Sequence, residues 1–200
     1  MSPRHAHEVR ATEQRFAGRI FTVVTDEVTM PGGGTAHRDI VRHVGAVGVV
    51  AIDPDDRVLL IRQYRHAVGR PLWELPAGLM DVSGEDLSAT ARRELAEEAD
   101  IVAGRLDLLV DVHTSPGFSD ELVRVFLARE LTPVPDEQRH TRQEEEAEIE
   151  VSWHDLDAAV GMIFAGTISN GPAVAGLFAA ARARDEGWAP LRPADTPLPR

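Results

Sequence analysis

The sequence predicts an α/β (α+β) protein in which a mixed β-sheet is sandwiched between helices, with a small antiparallel sheet at the N-terminus. Residues 44–52 (VGAVGVVAI) are almost continuously apolar, which is typical of a strand buried on both faces. Residues 86–98 contain no Gly or Pro and are rich in Leu, Ala, Glu and Arg, which indicates a helix. The regular strand–helix–strand alternation of a Rossmann sheet is absent. Helices packed on a mixed sheet are therefore the favoured architecture.

The N-terminal sheet is predicted from two strands that flank a turn. Residues 1–17 are polar and lack clear periodicity, and the first seven are expected to fray. Residues 19–28 and 35–43 have the composition of strands, and the run Pro31-Gly32-Gly33-Gly34 breaks the chain between them. Because two or three strands hide little apolar surface, this sheet is expected to pack on the main domain or on a second copy of the protein.

The other elements follow from hydrophobic pattern and turn residues. Further strands are predicted over residues 57–65, 106–113, 122–128 and 148–153, and further helices over residues 155–165 and 170–185. Residues 132–146, polar with two prolines and a Glu run, are predicted to form a mobile loop. The expected organisation is an N-terminal sheet and dimerisation region (1–43), a main domain (44–185) and a disordered proline-rich tail (186–200).

Composition excludes several classes of protein. The chain has 200 residues, of which 43% are hydrophobic, enough for the core of one domain. With no cysteine, it has no disulfide, thiolate metal site or cysteine nucleophile. Its net charge of −12 weighs against a nucleic-acid partner. No leader-like apolar region lies in the first thirty residues and no later run is long enough to span a membrane, so we expect a cytoplasmic protein without a membrane partner.

The predicted helix at residues 86–98 carries clustered acids. Leu87, Ala91 and Leu95 form an apolar stripe, and beside it the carboxylates occupy an arc of roughly 100°. These acids are Glu94, Glu97 and Glu98. One interpretation is a solvated face whose repulsion the neighbouring arginines relieve. The other is a site for a hard divalent cation, since Mg²⁺ takes one or two carboxylates together with waters and phosphate.

The residues around this helix favour the cation site, because they follow a known signature. Gly78, Glu85, Arg93-Glu94-Leu95, Glu97-Glu98 and Ile101 resemble the Nudix hydrolase pattern G-x5-E-x7-R-E-U-x-E-E-x-G-U, in which U is aliphatic. Two departures occur. Six residues instead of five separate Gly78 from Glu85, and Asp100 stands in place of the second glycine. Asp tolerates a left-handed backbone better than most residues, so we expect a small stability cost and unchanged chemistry.

The resemblance implies a Mg²⁺ or Mn²⁺ site. It implies that Glu94 and Glu98 are direct ligands, that the Ala77 carbonyl is a backbone ligand, and that Glu97 is a further ligand or an acid that supports them. Glu85 is expected to pair with Arg93 and to hold the loop that begins at Gly78 against the helix. Divalent cations suit pyrophosphate cleavage because they draw charge from the phosphate oxygens.

A second acidic run, Glu144-Glu145-Glu146, is on its own more typical of a solvated loop. In Nudix enzymes that hydrolyse ADP-ribose, however, a loop distant from the signature brings a glutamate to the metals. The resemblance therefore makes Glu145 the first candidate for this catalytic role and Glu146 the second.

Further residues resemble the branch of the family that acts on ADP-ribose. Pro116 lies fifteen residues after Ile101, and the segments Glu74-Leu75-Pro76-Ala77-Gly78 and Arg62-Gln63-Tyr64-Arg65 agree with that branch. The implied substrate contacts are Arg62 or Arg65, Glu74, Glu121, Arg38 and Asp39. Trp73 and Phe118 are candidates to stack on adenine, with a packing role as the alternative. Arg38 and Asp39 are equally typical of edge-strand charges.

The expected function is thus the hydrolysis of ADP-ribose to AMP and ribose 5-phosphate by a homodimer whose N-terminal sheets are exchanged between subunits. One alternative is a hydrolase of another nucleoside diphosphate sugar. Another is a non-catalytic sensor that binds ADP-ribose. The third is an acidic α/β protein whose glutamates form only a surface.

Overall fold

The computed structural model describes residues 6–82, 84–142 and 148–199, and these fall into two compact units. Unit 1 comprises the residues up to Gly45 together with residues 113–122. Unit 2 comprises residues 46–112 and those from Val123 onward. The predicted fold class is confirmed, since a small antiparallel sheet and a larger mixed sheet with helices are present. The division differs from the sequence boundaries because residues 113–122 group with the N-terminal sheet.

Unit 1 contains the strands β1 (Val9–Ala17), β2 (Phe21–Thr29) and β3 (Thr35–His43), paired antiparallel in that order. β2 and β3 agree with the predicted strands, but no strand was expected at β1. Every residue of β1 is exposed, so no apolar alternation marks it in the sequence. Pairing with β2, from Val9 opposite Val28 to Ala17 opposite Thr22, therefore creates this strand.

Unit 2 is built around the larger sheet. Its eight strands within the described residues are β4 (Ala46–Ile52), β5 (Arg57–Arg65), β6 (Arg70–Glu74), β7 (Ala77–Leu79), β8 (Ile101–His113), β9 (Leu122–Pro133), β10 (Glu150–Asp155) and β11 (Arg192–Pro193). The order is β10-β5-β4-β9-β8-β11, with β6 beside β5 and β7 beside β4. β4 runs parallel to β9 and antiparallel to β5, so the sheet is mixed.

Helices cover both faces of this sheet. They are α1 (Leu87–Ala99), α2 (Leu156–Phe164) and α3 (Gly171–Asp185). Leu95 of α1 packs in one cluster with Val47 and Val49 of β4, whereas Leu177 of α3 packs in a second cluster with Val50. Successive residues of β4 thus enter opposite cores, as expected for a strand covered on both sides. In the part of the chain that is described, no helix is long and apolar enough to cross a membrane.

Local capping sets the helix ends close to their predicted positions. The Asp155 carboxylate accepts a 2.9 Å hydrogen bond from the Ala158 amide at the start of α2, and the Asn170 side chain accepts one of 3.0 Å from Ala173 at the start of α3. α1 ends at Asp100, whose φ of 56° lies in the left-handed region.

Short strands lie in two segments where none was predicted. Between residues 66 and 85, β6 and β7 are short strands that pair with β5 and β4. The tail was expected to be disordered, yet β11 pairs with β8, and the buried Arg124 guanidinium donates to the Thr196 and Pro197 carbonyl oxygens. These contacts join residues far apart in sequence, so local composition does not reveal them.

Candidate active site

The three glutamates of helix α1 differ in how far their side chains are exposed to solvent. Ala91 and Leu95 are fully buried against the sheet and fix the rotation of the helix. As a result, Glu98 is only 5% exposed, while the side chains of Glu94 and Glu97 are 13% and 33% exposed. Glu94 and Glu98 lie one turn apart on the same side, so two carboxylates are held close together in partly dehydrated surroundings.

The backbone at Gly78 leaves room for the first of these carboxylates. A Cβ atom at this position would lie 2.0 Å from Cδ of Glu94. Gly78 sits in β7, opposite Val47 of β4. Glycine is needed here because the strand and the glutamate approach each other closely, which accounts for the first glycine of the signature.

The second carboxylate is fixed by the neighbouring residue. The Ala77 amide donates a 2.8 Å hydrogen bond to Oε2 of Glu98. This bond links the end of α1 to β7 and orients the buried carboxylate. The predicted role of the Ala77 carbonyl as a metal ligand stays a prediction.

Arg93 connects the glutamates of the signature. Its Nη1 donates to Glu94 at 2.7 Å and to Glu97 at 3.2 Å, and its Nη2 donates to Glu85 at 3.4 Å. The arginine thereby offsets the repulsion among three carboxylates. It also joins the loop before α1 to the helix, in the arrangement expected of a structural brace.

The charge states follow from these contacts. Hydrogen bonds from Thr90, at 2.8 Å, and from Arg93 lower the pKa of Glu85. Burial disfavours the charged form of Arg93, but the hydrogen bond to Glu85 and the attraction of Glu94 and Glu97 outweigh burial and raise its pKa. Glu85 and Arg93 are therefore both charged near neutral pH.

A cavity of about 340 Å³ opens beside the carboxylates of Glu94 and Glu98. Its lining comes from β5, β7, α1 and the segment that follows β7. The lining residues are Gln63, Arg65, Ala77, Gly78, Leu79, Asp81, Val82, Arg93, Glu94 and Glu98. Acceptor oxygens and guanidinium donors thus meet in one cavity, as a phosphorylated ligand bridged by a cation requires.

Arg65 is the arginine of the Arg62–Arg65 segment that lines this cavity. Its guanidinium holds the carboxylate of Glu74 through bonds of 3.0 Å from Nε and 2.7 Å from Nη2. Glu74 is 3% exposed, so Arg65 compensates a buried charge. Of these two predicted contact residues, Arg65 lines the cavity and Glu74 is paired with it.

Arg62 does not line this cavity, and its role as an alternative substrate contact stays a prediction. Side chains alternate along β5, so Arg62 points away from the face occupied by Ile61 and Arg65. It contacts Glu150 across the sheet at 3.4 Å and lies over the Trp73 ring at 5.9 Å. Trp73 belongs to that same opposite face, so the alternative packing role fits its position.

Glu97 lines a different cavity from the other two glutamates of α1. It lines a second cavity, of about 540 Å³, with Arg93 and the segment from Gln138 to Thr141. Arg93 lines both cavities. The geometry therefore brings Glu94 and Glu98 together and places Glu97 on the adjoining side of the helix.

The remaining predicted substrate contacts lie in unit 1. Asp39 accepts a 2.7 Å hydrogen bond from Thr25, and Arg38 donates to the His37 carbonyl at 2.9 Å. Phe118 is 58% exposed, and Glu121 accepts from Thr114 at 2.5 Å. The roles of these four predicted residues in substrate binding stay predictions.

The predicted catalytic glutamates, Glu145 and Glu146, lie outside the described residues. The chain is described up to Arg142 on one side of them and from Glu148 on the other.

Sequence reasoning did not select Gln63, although it is 7% exposed and lines the cavity with the two glutamates. The signal was available, because Gln63 is two residues from Ile61 and two from Arg65 and so shares their face of β5. Asp81, which follows β7, also lines the cavity and was not selected.

The donor set fits a hard divalent cation. Glu94 and Glu98 provide two carboxylates, and the space that a Cβ would fill at Gly78 allows one of them to lie against the backbone. Residues 6–82, 84–142 and 148–199 contain no cluster of three His, Cys, Asp or Glu side chains set to hold a metal. Two carboxylates are enough for such a cation when waters and phosphate oxygens complete its coordination.

Comparison with known proteins identifies relatives of this chain. The NUDIX domain profile matches residues 42–176. The chain is 44% identical over 192 residues to the ADP-ribose pyrophosphatase of Mycobacterium tuberculosis, covering 96% of this chain and 91% of that protein. It is 39% identical over 146 residues to the ADP-ribose pyrophosphatase of Bacillus subtilis, covering 72% and 78%.

A solved structure agrees on the fold. The crystal structure of an ADP compounds hydrolase superimposes with a TM-score of 0.78 and covers 94% of this chain and 99% of that one. The identity is 20%, so this likeness bears on architecture alone.

Proposed function

Since the chain belongs to the NUDIX domain family, we propose that it is a Nudix pyrophosphohydrolase that cleaves ADP-ribose to AMP and ribose 5-phosphate with the help of Mg²⁺ or Mn²⁺. The observation that carries the proposal is the pair of carboxylates formed by the buried Glu98 and the largely buried Glu94, in one cavity with Arg65. The similarity to two ADP-ribose pyrophosphatases over most of the chain supports the choice of substrate.

Each residue has a distinct part in this proposal. Glu94 and Glu98 hold the cation, and the Ala77 carbonyl is a further ligand. A cation held there would supply Lewis-acid chemistry, which would draw charge from the phosphate oxygens and orient a water for attack on phosphorus. Arg65 presents its guanidinium to the substrate and is kept in place by Glu74.

Other acids support the chemistry. Arg93 and Glu85 fix the loop and the helix relative to each other, so that the carboxylates stay in position. Glu145, or alternatively Glu146, takes the proton from the attacking water. Glu97 acts as a further ligand or supports the set through Arg93.

The working assembly in this proposal is a homodimer that forms through unit 1. Val9 and Phe16 of β1 are each 53% exposed. A second copy that covers β1 would remove this apolar surface from water. In the same proposal, Arg38, Asp39, Phe118 and Glu121 contribute to substrate binding, and the protein acts in the cytoplasm.

The test is product formation from a panel of substrates, followed by chromatography. ADP-ribose, GDP-mannose, UDP-glucose and NADH are each incubated with Mg²⁺, Mn²⁺ or EDTA. AMP released fastest from ADP-ribose, and absent with EDTA, is the expected result. Faster cleavage of another nucleotide sugar assigns the enzyme to that substrate. Thermal stabilisation by ADP-ribose without cleavage of any compound would instead identify a sensor.

A further inference from the structure

The carboxamide of Gln63 carries a buried oxygen without a protein partner. Gln63 is 7% exposed, and its Oε1 forms no hydrogen bond within the described part of the chain. Two other buried side-chain atoms in that part share this property, one in Arg129 and one in His154, and neither residue lines the cavity. Leaving a buried acceptor unpaired is costly, so the position implies a donor that the protein itself does not supply.

The strand pattern strengthens this implication. Leu59 and Ile61 precede Gln63 on the same face of β5, and both are buried in the core beneath α1. An apolar residue at position 63 would continue that face without a desolvation cost. Glutamine at this point is therefore hard to explain by packing, and its place in the lining of the cavity suggests a ligand.

The surroundings decide what kind of ligand this is. The cavity also contains the carboxylates of Glu94 and Glu98, which attract cations. A phosphate oxygen is a poor neighbour for the carboxamide oxygen, because both are acceptors. A hydrated divalent cation is a good one, because each water that it retains offers O–H donors.

We propose that the side-chain oxygen of Gln63 accepts a hydrogen bond from a water molecule that hydrates the divalent cation held by Glu94 and Glu98. Gln63 is then a positioning residue that acts through this water, and it sets the affinity and orientation of the cation. The inference rests on the proposed function, because it assumes that the two glutamates bind a cation.

The test measures Mn²⁺ binding directly, by calorimetric titration of the full chain without substrate. Gln63→Met removes the acceptor and keeps a long side chain, and we expect it to weaken Mn²⁺ binding by about 10- to 100-fold. Its melting temperature without metal should not fall, since an unpaired polar atom is replaced by an apolar one. Gln63→Glu keeps an acceptor oxygen and should bind Mn²⁺ at least as tightly as the natural protein.

Two further variants make the result interpretable. Gln14→Met is the matched control, the same substitution on the exposed strand β1, and it should leave Mn²⁺ binding unchanged. Gln63→Leu provides a second apolar replacement if the methionine variant does not fold. With raised Mn²⁺, the turnover of either apolar variant on ADP-ribose should recover, which a general loss of structure would not permit.

Several outcomes would overturn the inference. Equal Mn²⁺ affinity in Gln63→Met and the natural protein removes Gln63 from the cation site, and a raised KM for ADP-ribose in that case assigns it to the substrate. Equally weak binding by Gln63→Glu and Gln63→Met shows that Gln63 acts as a donor. No Mn²⁺ binding by the natural protein overturns the proposed function together with this inference, so the two failures are distinguishable.

Discussion

The carboxylate of Asp100 accepts a 2.6 Å hydrogen bond from Nη2 of Arg142, and Nε of the same arginine donates to the Glu97 carbonyl oxygen at 3.0 Å. These two contacts tie Arg142 to the end of α1. Asp100 also has the left-handed backbone that the glycine of the Nudix signature adopts most readily, with φ at 56°. Where the signature has a conformationally free glycine, this chain therefore has an aspartate that forms an ion pair with Arg142.

Substitution of Asp100 should separate these two effects. Asp100→Gly loses the ion pair but relieves the left-handed strain, so the unfolding free energy should change by less than about 1 kcal/mol. Asp100→Ala loses the ion pair and keeps the strain, and it should destabilise the protein by about 1–2 kcal/mol. Urea unfolding measures both. An alanine variant as stable as the glycine variant would contradict the argument from backbone strain.

Gly78→Ala should disturb the site and leave the fold intact. The added methyl would meet Cδ of Glu94 at 2.0 Å, so the carboxylate must move, and a displacement of this size costs about 10²-fold in kcat/KM. Gly161→Ala in α2 is the matched control, because nothing lies within 4 Å of a Cβ there. That variant should keep full activity and gain up to about 1 kcal/mol of stability. Steady-state kinetics and thermal unfolding distinguish the two.

Glu98→Gln should fold normally and lose most activity. The amide oxygen of glutamine can still accept the bond from the Ala77 amide, so the structural contact survives, while the negative charge that binds the cation is lost. Glu97→Gln should lose less, since Glu97 lines the adjoining cavity. Turnover at saturating Mg²⁺ is the measurement. Near-normal turnover of Glu98→Gln would remove Glu98 from the metal site.

Arg65→Met and Arg62→Met form a matched pair on opposite faces of β5. Loss of Arg65 leaves the buried Glu74 carboxylate unpaired, and we expect a destabilisation of about 2–3 kcal/mol. Loss of Arg62 removes an exposed contact to Glu150 and should cost less than about 1 kcal/mol. Adding Glu74→Gln to Arg65→Met should restore part of the stability in urea unfolding. An equal loss of unfolding free energy in the two single variants would show that pairing with Arg65 does not stabilise the buried Glu74 carboxylate.

The contribution of Glu85 to stability should depend on pH. Hydrogen bonds from Thr90 and Arg93 lower its pKa below the ordinary value of 4.5. Ionised Glu85 therefore stabilises the folded state fully above that value, and this contribution is lost as the pH falls through the lowered pKa. The difference in unfolding midpoint between the natural protein and Glu85→Gln should shrink between about pH 5 and about pH 3. A difference that stays constant over this range would show that the charge of Glu85 does not contribute.

Much of the fold could be predicted because the local sequence of several elements is enough to identify them. β3 and β5 match their predicted bounds, and α1 begins and ends within one residue of its prediction. Periodicity, capping residues and turn residues are sufficient in these places, since the forces involved act between near neighbours in sequence.

The elements that were missed depend on distant partners. β1 has no buried side chain and exists because β2 lies beside it, and β11 is held by β8 and by the buried Arg124. Backbone hydrogen bonds between strands carry no sequence pattern when neither face is buried. Pairing of this kind cannot be recognised from one strand alone.

The sequence by itself determined the set of glutamates, their spacing on one helix and the family to which the chain belongs, because helical periodicity fixes which side chains share a face. Only the tertiary structure decided that Arg65 and not Arg62 lines the cavity, that Glu97 lines the adjoining cavity, and that Gln63 joins Glu94 and Glu98. Those outcomes depend on which face of β5 packs under α1 and on how closely β7 approaches it. Such relationships arise from packing between distant segments, which no local pattern encodes.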